Sequence, residues 1–130
     1  MRLSLLRNLL VIDSAVLFLL GAALVFCPKQ IEVAFHFDNL PEGVSYLIGL
    51  WGCGLVTMAV GYVVAASDPV RHVIWVQVGI ARGIAECALG AVCLARGFVT
   101  FPQAGLGIVL AGLMSLAYLA LYPRKAKASP

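Results

Sequence analysis

The sequence predicts an all-α membrane protein, with four transmembrane helices in a compact up-down bundle. Three observations carry this. The 130-residue chain is 62% hydrophobic and 12% charged, whereas soluble domains average roughly half apolar and a quarter charged. Its apolar residues lie in long blocks, the pattern of segments that cross a bilayer. Each of the four blocks approaches the ~20 residues that span ~30 Å of hydrocarbon as a helix. A β-barrel would need segments of ~10 residues with strict alternation, and these blocks are apolar on nearly every face. The length suits a single domain.

The first segment runs from about Leu9 to Phe26. Arg2 and Arg7 ahead of it, with Gly21-Ala22-Ala23 inside it, also allow a cleaved signal peptide. Asp13 within the apolar run argues for a retained helix, because signal cores are normally uncharged. Phe26 occupies the position in "LVFC" that a lipoprotein box reserves for a small residue.

The loop "PKQIEVAFHFDNLPEG" follows. Pro28 suits the first turn of a helix, and Ile31, Ala34 and Phe35 would share one face. The reading is a short amphipathic helix on the outer membrane surface, ended by "NLPEG"; an irregular loop with aromatic anchors is the alternative. The second segment runs from about Val44 to Ala66. Pro69 stops it in the tight turn "SDPVRH", where Asp68 can favour the positive end of the next helix. The third segment runs from about His72 to Ala95 and the fourth from about Ala104 to Tyr122.

Lysine and arginine in the short loops set the orientation. Arg2, Arg7, Arg71, Arg124, Lys125 and Lys127 fall on one side, against Lys29 and Arg96 on the other. Both termini are therefore expected in the cytoplasm, and an even number of spans requires that they share a side. Trp75 and Tyr122 suit the cytoplasmic interface; Trp51, Tyr62 and Tyr118 are read as aromatic-belt residues.

Lipid gives helices no hydrophobic reason to meet, so close packing needs small residues. The second segment offers Gly49, Gly52, Cys53, Gly54 and Gly61. The third offers Gly79, Gly83, Cys87 and Ala91 on one row, and the fourth Gly107, Ala111 and Ser115. These rows suit a left-handed bundle or an interface with a partner chain.

The stretch "VQVGIARGIAEC" places Gln77, Arg82 and Glu86 inside the third span. Arg82 and Glu86 are four apart and share a helix face. At 1.5 Å per residue Arg82 lies roughly 14 Å in, Glu86 roughly 20 Å and Asp13, on the first segment, roughly 8 Å. An arginine can bridge most of that offset if the first and third segments touch. An unpaired charge in the bilayer costs at least ~2.5 kcal/mol, so a buried Asp13–Arg82–Glu86 cluster is expected. Gln77, Ser14 and Tyr62 are candidates to supply hydrogen bonds. With two acids and one base, one carboxyl can hold a proton, and Glu86 is the deeper acid. Two readings stay open: a proton-responsive or substrate-binding site, and a polar clamp that fixes helix register.

Cys27 and Cys93 both fall near the outer face and form a candidate disulfide pair in an oxidising compartment. Cys53 and Cys87 read as packing residues. His36 and His72 lie on opposite sides and cannot jointly hold a metal. No Cys-x-x-Cys, phosphate loop, nucleophile elbow or zinc-protease helix occurs. No catalytic residue, metal or cofactor is therefore expected. The basic residues sit near the chain ends without an aromatic stripe, which argues against nucleic acid as a partner.

The "FCP" exit from the first segment, the "AASDPVRH" turn, the "GIARG" centre of the third and the basic tail "YPRKAKASP" resemble the small four-helix membrane proteins of the DoxX-like and BphX-like type. The resemblance implies a bacterial inner-membrane protein. Some such proteins accompany quinone-linked oxidases or sit in aromatic-degradation gene clusters, and none supplies a catalytic residue to carry onto this chain. The functional expectation is an accessory or interaction subunit of a larger membrane system. The alternative is a proton-coupled small-molecule transporter, acting as an oligomer through Asp13, Arg82 and Glu86. A quinone-linked redox enzyme is a third reading, without a visible ligand set.

Overall fold

A computed structural model describes residues 1–37 and 40–123. It is all-helical: α1 (Arg2–Phe26), α2 (Pro28–Ala34), α3 (Glu42–Ser67), α4 (Val73–Ala95) and α5 (Phe101–Leu121). Four of these, α1, α3, α4 and α5, are long and apolar enough to cross a membrane. Their surfaces are apolar too: Phe18, Leu19, Val60 and Leu116 are each more than half exposed. Helices apolar on all sides suit a lipid solvent better than water.

The long helices pair in two antiparallel couples. In the first, Gly21 of α1 meets Gly52 of α3, and the Ser14 hydroxyl donates to the Ala59 carbonyl at 2.8 Å. In the second, Gly83 of α4 meets Ala111 of α5, and the Ser115 hydroxyl donates to the Ile80 carbonyl at 3.2 Å. In each couple one partner's number falls as the other's rises, which is antiparallel pairing. The couples join α3 to α4 and α1 to α5, so α1 and α4 stand diagonally without backbone contact.

Glycine sets the closeness of both couples. A Cβ on Gly21 would stand 2.7 Å from the Gly52 carbonyl oxygen, and one on Gly52 equally close to that of Gly21. Gly83 is pressed as closely against the Ala111 carbonyl. Not every expected glycine serves this purpose. Gly49, Gly54 and Gly107 have open space where a Cβ would be, and Cys53 and Ala91 are exposed. Gly49 and Gly54 lie off the row of Gly52, Leu55, Ala59 and Tyr62 that turns inward, because successive residues rotate by about 100°.

The helices extend beyond the expected spans. The helix that contains the first span already begins at Arg2, and its Leu6 and Leu10 are fully buried. The fourth begins at Phe101, with Pro102 in its first turn and the Gln103 side chain accepting the Thr100 N–H at 2.8 Å. Between α3 and α4 the Asp68 carboxylate accepts the Arg71 N–H at 3.1 Å. Asp68 thus closes the turn itself, and His72 is the residue that precedes α4.

The amphipathic helix forms as α2, but its inward face is narrower than expected. Ile31 packs against the core while Ala34 is exposed. The helix stops well before "NLPEG". Phe37 N–H bonds to the Glu32 carbonyl and His36 N–H to that of Val33, a Schellman ending with His36 in the left-handed position at φ 59°. The same ending closes α4, where Gly97 takes that position at φ 69°. Asn39, within "NLPEG", and Arg124, Lys125 and Lys127 of the basic tail lie outside the described residues.

Candidate functional site

Asp13 is the most buried charged side chain among the described residues. It lies on the inward face of α1 with Leu6, Leu10 and Leu17. Because α1 begins at Arg2, Asp13 stands about 16 Å along its helix and Arg82 about 14 Å along α4. The expected offset between them disappears. The Arg82 guanidinium reaches across the diagonal to Asp13, with Nη2 3.2 Å from Oδ1 and 3.4 Å from Oδ2. The helices need not touch, because the arginine side chain itself spans the bundle centre.

Aromatic side chains complete the inner shell. The Tyr118 hydroxyl of α5 donates to Asp13 Oδ2 at 2.7 Å. The Arg82 guanidinium carbon lies 5.6 Å from the centroid of the Tyr62 ring on α3, within cation–π range. Trp75 meets the Tyr62 ring edge-on, with centroids 5.9 Å apart. Gly61 accommodates the Trp75 ring directly, and Gly79 lies against the Tyr118 ring. All four long helices therefore contribute to this cluster: Asp13 from α1, Tyr62 from α3, Trp75 and Arg82 from α4 and Tyr118 from α5.

Glu86 sits differently. Its Oε1 is 3.7 Å from Arg82 Nε, one turn along the same helix, and its side chain is 43% exposed. The charged group therefore has one carboxylate enclosed in the bundle and a second at its surface. Arg82 Nε, Arg82 Nη1 and the Tyr62 hydroxyl are buried without a hydrogen-bond partner among the described residues.

Several expected participants lie elsewhere. Gln77 is exposed and its side-chain amide donates to the Tyr122 hydroxyl at 2.8 Å, away from Asp13. Residue 77 is five positions, or 500°, before Arg82 and so points some 140° away from it. Ser14 is spent on Ala59. Tyr62 serves through its ring rather than its hydroxyl. Tyr118, read as a belt residue, supplies the hydrogen bond to Asp13 instead. Its signal was present in the sequence: it continues the Ala111, Ser115 row at the next helical spacing, on the packing face of α5. The cysteines of the candidate pair, Cys27 and Cys93, are both free. They stand at the ends of the diagonal helices α1 and α4.

A cavity of about 480 Å³ lies toward the other end of the bundle, and nothing in the sequence pattern singled it out. Leu20 and Leu24 of α1 form its floor, Ile48 and Trp51 of α3 one wall, and Ala104 and Gly107 of α5 the other. The α2 segment roofs it through Ile31, Glu32 and Phe35.

The fold and this cluster define a class: a helical bundle with four membrane-length apolar helices around a central ion pair. Comparison with family models, with curated proteins and with solved structures finds no match to the chain.

Proposed function

We propose that this chain is a multi-pass protein of the bacterial inner membrane, with both termini cytoplasmic, that works as an interaction subunit of a larger membrane assembly. The lysine and arginine distribution supports the orientation. The resemblance of "AASDPVRH" and "GIARG" to DoxX-like and BphX-like proteins supports the bacterial inner membrane.

One observation carries the interaction reading: the Glu86 carboxylate is 43% exposed about halfway along α4. That helix is also the least enclosed of the four. Only 11% of its most apolar stretch is buried, against 33% in α1. Leu89, one turn on, shares the Glu86 face, and Ala85 flanks it; both are exposed. In lipid, a half-exposed carboxylate costs free energy that a hydrogen-bond donor at the same depth would recover. The small Ala85 side chain lets a neighbouring helix approach closely. The fitting occupant is a transmembrane helix of a different protein, carrying a cation or amide donor level with Glu86. A two-fold pairing of identical α4 faces would set Glu86 against Glu86, which like charge disfavours.

The transporter reading finds less support. The bundle centre is filled by the Tyr62, Tyr118, Leu10 and Leu17 side chains, and both Asp13 oxygens are already bonded.

Photo-crosslinking separates the readings. A photoreactive amino acid at Leu89, on the Glu86 face, should join a larger membrane protein; the same group at Val60, on the outer face of α3, should give only lipid adducts. Self-crosslinking from Leu89 would overturn the hetero-partner reading and turn attention to pH-dependent flux, lost on Glu86→Gln.

A further inference from the structure

The cavity under α2 has a floor and walls from three different helices, yet it is not part of the charged cluster. The fully buried core gathers at the other end, where Leu6, Leu10, Tyr62, Ala65, Val76 and Tyr118 meet. Toward α2 the enclosed side chains thin out, and the walls from α3 and α5 stand apart across α1 without backbone contact between those two helices. The space between them is the cavity, and its volume falls within the ~300–1,000 Å³ of small-molecule pockets.

Its polar groups are already engaged in holding the roof. One Glu32 oxygen accepts the Ser45 hydroxyl at 3.1 Å, tying α2 to α3. The Gln103 side chain accepts the Thr100 N–H and donates to the His36 carbonyl at 3.0 Å, tying α5 to the end of α2. Gln103 thus uses both ends of its amide on the protein. The remaining lining is aliphatic and aromatic. A pocket for a polar small molecule ordinarily keeps a few convergent polar groups to orient its ligand; here those groups serve the scaffold.

We infer that this cavity holds one acyl chain of a membrane phospholipid. The inference rests on the membrane placement proposed above and is independent of any partner at Glu86. Under that placement α2 lies at the outer interface, so the cavity opens at the depth of acyl chains. These are the most concentrated apolar ligand available there. The other side of α2 exposes Lys29 and Gln30, which puts a positive charge at the level of a lipid phosphate. The chain enters beneath α2, and the headgroup stays outside it.

Gly107 gives a clean test. It lines the cavity, and a Cβ there would meet nothing within 4 Å. A side chain at Gly107 therefore starts from open space at the cavity wall, and Gly107→Phe is the cavity-filling variant. Gly54 is equally unobstructed but does not line the cavity, so Gly54→Phe is the control. The protein is released from nanodiscs of defined phospholipid, washed in mild detergent and weighed by native mass spectrometry. The expected result is one phospholipid mass retained per chain, with the bound fraction falling about tenfold or more in Gly107→Phe and unchanged in Gly54→Phe. Retention of no lipid, or equal retention in both variants, overturns the assignment. If Gly107→Phe fails to fold, the unsubstituted protein decides. A phospholipid with a photoreactive group in mid-chain should label Leu20, Ile31 and Ile48; labelling confined to outward residues such as Val60 and Leu116 overturns it. Failure of the membrane placement itself reads differently, as a protein that does not enter nanodiscs at all.

Discussion

Asp13 and Glu86 meet the same arginine from opposite sides, one inside the bundle and one at its surface. Asp13 accepts from Arg82 and from Tyr118 and is almost wholly enclosed. Glu86 stands 3.7 Å from the same guanidinium, nearly half exposed. The difference follows from where their helices sit. On α1, position 13 belongs to a row of inward leucines with helices on either side. On α4, position 86 lies at the edge of the face that Gly83 and Gly90 pack against α5, and its side chain stays 43% exposed. Ion pairing alone therefore does not define a site. Under the proposed function, Asp13, satisfied by its own bundle, is the architectural acid and Glu86, left partly unsatisfied, is the contact.

Substitutions can break this contrast, in falling order of effect. Arg82→Met should be the most damaging, because it strands the Asp13 carboxylate in the interior. Removing one partner of a buried pair costs roughly 3–5 kcal/mol, and thermal unfolding in detergent should show it as a large fall in Tm. A Tm close to that of the parent would mean that Asp13 is not held charged by Arg82. Tyr118→Phe removes only the hydrogen bond to Asp13 and keeps the ring that packs on Gly79. A hydrogen bond to a charged group contributes roughly 1.5–3 kcal/mol, so the same melt should show a smaller but clear loss. Glu86→Gln should leave the isolated protein within about 0.5 kcal/mol of the parent, as expected for a change away from the packed core. A loss as large as that of Tyr118→Phe would move Glu86 from the surface into the architecture.

The four helices and the Asp13–Arg82 pair were legible in the sequence; the contrast was not, because the sequence places Glu86 in the same buried cluster, whereas its side chain is 43% exposed. The four apolar blocks specify four helices because ~20 apolar residues have few other uses. Asp13 and Arg82 could be matched because each is an isolated charge within its block and their depths can be counted. The remainder depends on faces and neighbours. That Gln77 turns away from Asp13 follows from helix rotation, but which way α4 itself is turned does not. Gly21 was legible only as part of a cleavage-site pattern, since its role as the mate of Gly52 appears once α1 is laid against α3. The cavity had no sequence signal: it arises where α2 folds back over helices that have spread apart, and each of its side chains reads locally as ordinary membrane-helix material.

Under the proposed function, Glu86 marks the face by which this chain joins a larger membrane protein. Purification from the native host into nanodiscs, with native mass measured for the parent and for Glu86→Gln, tests it most directly. The parent should carry a larger protein in fixed ratio, and Glu86→Gln should lose it while keeping its own Tm, since truncating one side of a buried interfacial charge pair costs roughly 2–5 kcal/mol of binding. A parent that runs alone or as a homo-oligomer, or a Glu86→Gln protein that keeps its partner at full occupancy, would contradict it.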